Sequence, residues 1–352
     1  MASIDFTELF TNVIPSATAT WTSIDLSSYG VPDNAVVSIL LVNSNAEFPI
    51  TVGVREVGSS LARYVDLHEA EGGGSTSIVM HVQADSSGSI QYYTGLPAFT
   101  DLYILGYYGS GITYTEEMTL YDSTVADWRT QAVGQNNRVF EFSCQNETDG
   151  DEVIVGVRGV GSSLARYYDI DEAEPSGSSG YTSYAQSDGS GNVQLYREDT
   201  RAAIYSLGYF SANVQLAEAF TNCTPSSDAT WRELTAAGFE NTVALIACMH
   251  NSSGTEELMG ARGGASTEER RWTEHEAEGG GFAGDTLPVL VDAGGKYDTY
   301  HGDVSDALFY CLGYLYDTGS APAGWTGKIC GVTNPSKICG IAVADITKVC
   351  GV

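Results

Sequence analysis

The sequence predicts an all-β protein: three tandem antiparallel β-sandwich domains of jelly-roll type, followed by an extended C-terminal assembly tail. The first observation behind this is an internal repeat. Gly53 to Glu71 reads GVREVGSSLARYVDLHEAE, Gly156 to Glu174 reads GVRGVGSSLARYYDIDEAE, and Gly260 to Glu278 reads GARGGASTEERRWTEHEAE. The copies are offset by 103 and then 104 residues, long enough for each repeat to bury its own core. The second is composition. With 40 Gly, 21 Tyr and only 17% charged residues, the chain suits strands, hairpins and polar turns. The third is rhythm: each repeat holds seven or eight short strand-like runs separated by turn signals. The repeats span 1–110, 111–212 and 213–318, and 319–352 is a linker and tail.

Repeat 1 opens with Phe10-Thr11-Asn12, Pro15-Ser16 and Ala19-Thr20-Trp21, and repeat 3 with Phe220-Thr221-Asn222, Pro225-Ser226 and Ala229-Thr230-Trp231. Repeat 2 keeps only the tryptophan, Trp128. Apolar runs follow, such as Ala35 to Val42 and Val243 to Met249, and read as strands. Within the GVR copies, Leu61 to Glu71 admits a short helix with Ser59 as cap and Gly72 as stop. Leu61, Arg63, Val65 and Leu67 nevertheless alternate with Ala62, Tyr64, Asp66 and His68, and that period of two favours a strand.

A glycine-rich turn comes next (Gly72 to Gly74, Gly279 to Gly281), then a strand, then Asp85-Ser86-Ser87-Gly88, Asp188-Gly189-Ser190-Gly191 or Asp292-Ala293-Gly294-Gly295. Aspartate followed by glycine is hairpin chemistry, because glycine takes the positive φ of such turns. Tyr93, Tyr196 and Tyr300 fall in the strand beyond, and each repeat closes on Leu-Gly-Tyr at 105–107, 207–209 and 312–314. Glycine inside a closing strand marks a bulge or a close backbone approach. The joins Gly109-Ser110-Gly111 and Ser211-Ala212-Asn213 are short, so the repeats are expected to pack end to end or around a pseudo-axis.

The formal net charge is −29, which disfavours binding to nucleic acid or an anionic membrane, since both rely on basic patches. The last 34 residues carry Lys328, Lys337 and Lys348 against Asp345, a net of +2, leaving −31 on the body. The N-terminus MASIDFTELF lacks the basic and apolar regions of a secretory signal, and no run approaches the roughly 18–20 apolar residues that span a bilayer. The tail repeats a small unit: Lys328-Ile329-Cys330-Gly331-Val332, Lys337-Ile338-Cys339-Gly340-Ile341 and Lys348-Val349-Cys350-Gly351-Val352. One such unit cannot bury its apolar face alone, so it needs other copies or a partner.

The repeated charges offer the main candidate site. Glu69 and Glu71, Glu172 and Glu174, and Glu276 and Glu278 are paired acids, a pattern compatible with glycosidase carboxylates or calcium. Each repeat, however, also keeps two of the chain's twelve arginines: Arg55 and Arg63, Arg158 and Arg166, Arg262 and Arg270. Those arginines with those glutamates read as a structural ion-pair cluster fixing sheet-to-sheet or domain-to-domain geometry. Metal support is weak: His68 and His275 share a slot, but Asp171 fills it in repeat 2, and the Asp-Gly turns read as hairpins before calcium sites. Cys144, Cys223, Cys248 and Cys311 read as small core hydrophobes. Cys330, Cys339 and Cys350 either form interchain disulfides or fill a narrow core between chains. No nucleophile elbow, phosphate loop or dinucleotide fingerprint appears, so no enzyme activity, metal or cofactor is expected.

The tail resembles the C-termini of bacteriophage structural proteins, built from KVxGV-like units with an alanine-valine-alanine spacer, here Ile341-Ala342-Val343-Ala344. Cysteine stands here where those proteins have Asn, Ser or Met. The body is similar, more loosely, to the β-sandwich beads of phage fibres and decorations. The resemblance implies a non-enzymatic virion component, a capsid- or tail-associated fibre or decoration protein that assembles through its tail. It implies a homo-oligomer, most simply a trimer, contacting other virion proteins, made in the host cytoplasm and released by lysis. A receptor- or glycan-binding adhesin, using exposed tyrosines against a host-surface glycan, is the alternative.

Overall fold

In the computed structural model the described residues are 3–318, without 14, 17–18, 71–73, 122–124, 149, 174–176, 212, 252–254, 276, 278–280 and 304–306. Beyond 318 the description covers the backbone of four two-residue segments, Lys328–Ile329 paired with Val332–Thr333 and Lys337–Ile338 paired with Ile341–Ala342. The tail cysteines, Cys330, Cys339 and Cys350, lie outside the described residues.

The first eight strands are β1 (Phe6–Asn12), β2 (Thr22–Asp25), β3 (Val36–Asn43), β4 (Ile50–Glu56), β5 (Tyr64–Leu67), β6 (Thr76–Gln83), β7 (Ser89–Thr94) and β8 (Thr100–Tyr108). They form two antiparallel sheets, β1-β8-β3-β6 and β2-β7-β4-β5, the connectivity of a jelly roll. Repeat 2 supplies β9 (Tyr114–Tyr121), β10 (Val125–Ala132), β11 (Val139–Asn146), β12 (Val153–Gly159), β13 (Tyr167–Ile170), β14 (Ser179–Gln186), β15 (Asn192–Arg197) and β16 (Ala202–Phe210). Repeat 3 supplies β17 (Val214–Asn222), β18 (Arg232–Thr235), β19 (Val243–His250), β20 (Glu257–Gly263), β21 (Arg271–Glu274), β22 (Ala283–Leu290), β23 (Lys296–His301) and β24 (Ala307–Asp317). Their sheets, β14-β11-β16-β9 with β10-β15-β12-β13 and β17-β24-β19-β22 with β18-β23-β20-β21, repeat the same order.

Of the expected strand from Leu61 to Glu71, Tyr64–Leu67 forms one, β5, which buries Val65 and Leu67 and exposes Tyr64 and Asp66, while Leu61–Arg63 and His68–Ala70 lie outside any strand. β3, by contrast, is buried at every position. Val37, Ile39 and Leu41 enter the core of repeat 1, while Leu40 and Val42 enter the core of repeat 3. β3 is therefore a continuous apolar run because both of its faces are covered. β19 is built the same way, with Ala244, Ile246 and Cys248 inward and Val243, Leu245, Ala247 and Met249 toward repeat 2. The three repeats thus close into a ring, and their edge strands β6, β14 and β22 meet one another at its centre.

The turn and bulge expectations have clear local causes. Asp85 Oδ1 accepts the Ser87 and Ser89 amides at 2.8 and 2.9 Å, and Gly88 has φ 74°. Asp188 and Asp292 hold their turns identically, with Gly191 and Gly295 at φ 76° and 73°. Gly106, Gly208 and Gly313 of the closing motifs lie at φ 148–153°, where the strand pairing slips by one residue. The bulge turns the preceding leucine outward. Leu105 enters the core of repeat 3, Leu207 that of repeat 1 and Leu312 that of repeat 2.

Candidate functional site at the threefold junction

Chemistry-bearing side chains concentrate where the repeats meet. Arg63, Arg166 and Arg270, at most 1% exposed, stand immediately before β5, β13 and β21 and reach into a neighbouring repeat. Arg63 pairs with Glu116 at 3.6 Å, Arg166 with Glu218 at 2.9 Å and Arg270 with Glu8 at 2.9 Å. The sequence runs 1 to 2, 2 to 3 and 3 to 1, so the ion pairs form a closed ring. The same carboxylates accept backbone N–H groups across the junction: Glu116 from Glu56, Glu218 from Gly159 at 2.6 Å, and Glu8 from Gly263 at 2.9 Å. Val54, Tyr184 and Pro288 carbonyls take further guanidinium hydrogens at 2.8–2.9 Å. A buried charge survives only with such partners.

These acids are not the ones the repeated motif offers. Among the described acids, the partners that close the ring come from β1, β9 and β17, and Arg63 has a second, Glu141 of β11 at 3.7 Å, all outside the Glu-Ala-Glu segments. Glu69 and Glu172 are partly exposed, and Glu71, Glu174, Glu276 and Glu278 lie outside the described residues. The other arginines do local work. Arg55 donates to Gln91 and to the Leu61 carbonyl at 2.9 and 2.8 Å, and stacks 4.0 Å above Trp21. Arg158 does the same with Gln194, Leu164 and Trp128, and Arg262 with Asp298, Glu268 and Trp231. Among the described residues the six arginines therefore sort into an inter-repeat ring and a surface stack.

The glycine of each GVR explains why the stack fits. A Cβ on Gly53, Gly156 or Gly260 would come within 2.2 Å of the carbonyl of Arg63, Arg166 or Arg270. Its absence lets β5 close over β4, so that Tyr64 lies 5.3 Å from Tyr93, itself 5.6 Å from Trp21. Tyr167, Tyr196 and Trp128 reproduce the ladder on repeat 2, and Arg271, Tyr300 and Trp231 on repeat 3.

A second ring is made by the backbone. His68 N–H donates to the Ser178 carbonyl at 3.1 Å, Asp171 to Phe282 at 3.2 Å and His275 to Ser75 at 3.0 Å. Gly74, Gly177 and Gly281 allow it, since a Cβ there would stand 2.6–2.8 Å from the Cα of His275, His68 or Asp171. The buried rings of His68 and His275 lie 5.4 Å apart. Burial pulls His68 down to about 4, and burial together with His68 and His250 pulls His275 well below the usual imidazole value. Both are neutral at pH 7. No group of three or more His, Cys, Asp or Glu among the described residues is placed to hold a metal.

At the centre one carboxylate joins all three repeats. Asp285 accepts the amides of Val79, Thr182 at 2.7 Å and Thr286 at 2.6 Å, which are equivalent positions of β6, β14 and β22. Burial raises this carboxyl to about 7 against those hydrogen bonds. Glu274, bonded by Trp272 at 2.6 Å and Ser77 at 3.1 Å, is raised by burial to about 8. Glu141 is the opposite case: burial pushes it up, but His81 at 2.8 Å and Arg63 at 3.7 Å hold it below the ordinary range. Cys144, Cys223, Cys248 and Cys311 are free thiols, and burial pushes Cys144 up to about 12.

No protein-family model and no curated protein matches the chain. Two solved viral structures are similar over most of its length. One is a chain from the atomic structure of Sulfolobus Turreted Icosahedral Virus, at 10% identity and TM-score 0.23, covering 90% of this chain and 91% of that one. The other is a chain from work on the triple jelly-roll fold and turret assembly in an archaeal virus, at 9% identity and TM-score 0.22, covering 90% of each. Such TM-scores carry no functional weight, and the rings stand on their own geometry.

Glu8, Glu116 and Glu218 are the residues a reading of the sequence misses. They are spaced by 108 and 102 residues, unlike the 103 and 104 of the motif, because the segments from each acid to the GVR arginine of its own repeat differ in length, 47, 42 and 44 residues. Their signal was positional: each stands opposite the glycine of a Leu-Gly-Tyr, at Gly106, Gly208 and Gly313.

Proposed function

We propose that the chain is a structural building block of a virion, a preassembled three-lobed unit in which one polypeptide supplies what three jelly-roll subunits would. The observation that carries this is the closed Arg–Glu ring, which joins equivalent faces of three jelly rolls without using any residue type in a catalytic arrangement. Buried ion pairs fix geometry more than they add stability, and fixed geometry is what a repeated shell or appendage component needs. The cationic tail beyond residue 318 extends the proposal: its lysines complement a body of net charge −31 on a neighbouring copy. In this reading the tail joins units to one another or to other virion proteins, as the bacteriophage resemblance implies, and the tail cysteines add cross-links or core packing. In the same reading the tail assembles the units into a homo-oligomer, a trimer. Electron microscopy of particles containing the chain is expected to show three-lobed units, and a chain ending at residue 318 is expected to fold but not to enter particles. Particles lacking the chain, or normal incorporation of the shortened one, would remove the proposal.

A second reading, binding of a host-surface glycan, is favoured by one observation, the partly exposed Trp–Arg–Tyr ladders of repeats 1 and 2, on β2-β7-β4-β5 and β10-β15-β12-β13.

A further inference from the structure

The three junctions share the Arg–Glu pair and the backbone contact but differ in one aromatic stack. Beside the repeat 3/1 junction Phe10 stacks on Tyr103 at 4.7 Å, and at the repeat 2/3 junction Phe220 stacks on Tyr310 at 4.7 Å. The equivalent pair at the repeat 1/2 junction is Met118 with Tyr205: Met118 is two residues past Glu116, as Phe10 and Phe220 are past Glu8 and Glu218. With no ring over Tyr205, a cleft of about 510 Å³ opens between the two repeats, a size typical of small-ligand sites of about 300–1,000 Å³.

The lining of this cleft is specific. Met118 and Tyr205 are its apolar surfaces, and Tyr64 forms one wall. Tyr64 is 39% exposed and its ring continues through Tyr93 to Trp21, so the aromatic ladder of repeat 1 leads into the cleft. Asp66, Gln145 and Glu147 supply oxygen acceptors, and Tyr205 donates to Glu147 at 2.9 Å. The cleft is lined by no lysine or arginine.

We propose that this cleft, together with the Tyr64–Tyr93–Trp21 ladder, binds a neutral saccharide. The faces of tyrosine and tryptophan carry negative quadrupole charge, which attracts the polarised C–H groups on one face of a pyranose. Carboxylate and amide oxygens accept its hydroxyl hydrogens. The same acids, on a body of net charge −31, repel sialylated or sulfated glycans. At the equivalent positions in the other two junctions phenylalanine covers the tyrosine, so this aromatic surface is offered at one junction. This rests on the glycan-binding reading and narrows it to one cleft and one sugar class.

The test is a printed array of neutral and sialylated oligosaccharides probed with the full chain, followed by titration of the strongest neutral binder. Met118→Phe restores the stack of the sister junctions and is expected to weaken binding at least tenfold while leaving the melting temperature unchanged. Glu147→Gln, which keeps the shape of the cleft, is expected to weaken it several-fold. Binding to no neutral glycan overturns both the site and the glycan-binding reading. Neutral binding that survives both substitutions but is lost in Trp21→Ser overturns the cleft alone and leaves the ladder as the binding surface.

Discussion

A guanidinium at 0–1% exposure is tolerable only while its carboxylate is present, so the ring of Arg63, Arg166 and Arg270 sets sharp single-residue expectations. Glu218→Leu strands Arg166 and is expected to cost about 3–5 kcal/mol in chemical denaturation, whereas Arg166→Met with Glu218→Leu is expected to recover most of that loss. Equal destabilisation by the single and double variants would show that the pair matters by shape alone. The buried titratable groups oppose one another in pH. His68 and His275 have lowered values, so their contribution is full above about 6.5 and is lost as pH falls toward 4. Glu274 and Asp285 are raised to about 8 and about 7, so theirs is full below about 4 and is lost as pH rises through those values. Glu274→Gln keeps an oxygen for Trp272 and Ser77, and its melting temperature is expected to gain on the native chain by several degrees between pH 5 and pH 9. Parallel pH curves would contradict the assignment.

Strands and motifs show which parts of the molecule could be read in advance. The GVR glycines are needed for strand closure: Gly156→Ala would drive a methyl to 2.1 Å from the Arg166 carbonyl. It is expected to separate β13 from β12, exposing the Tyr167–Tyr196–Trp128 ladder to faster hydrogen exchange and costing several kcal/mol, far beyond the effect of propensity alone. Protection equal to that of the native chain would refute this. The Leu-Gly-Tyr motif makes a comparable prediction between repeats. Leu207→Ala removes a side chain of repeat 2 from the core of repeat 1 and is expected to cost about 2–5 kcal/mol. Alternation in β5, the Asp-Gly turns and the closing-strand bulges were legible because each has a local cause. The partners of the second arginines were not, because an antiparallel register and a contact between repeats bring Glu8, Glu116 and Glu218 to them from 52 to 262 residues away. Continuous apolar runs such as β3 likewise gave strand content but not the second buried face, which exists only once a neighbouring repeat is in place.

The molecule as a whole behaves as a ring whose three members cannot diffuse apart. Its melting temperature is therefore expected to be independent of protein concentration over a hundredfold range for a chain ending at residue 318, unlike that of three separate subunits. A marked concentration dependence would show that the described residues need another copy to fold. Linkage in one chain has a further genetic consequence. In a ring of three identical subunits every substitution is made at all three interfaces at once, and a change that opens one must open the others. Here Met118 stands at a single interface while Phe10 and Phe220 keep their stacks at the other two, so one interface can acquire a new property while the rest of the ring, and its own Arg63–Glu116 pair, are retained.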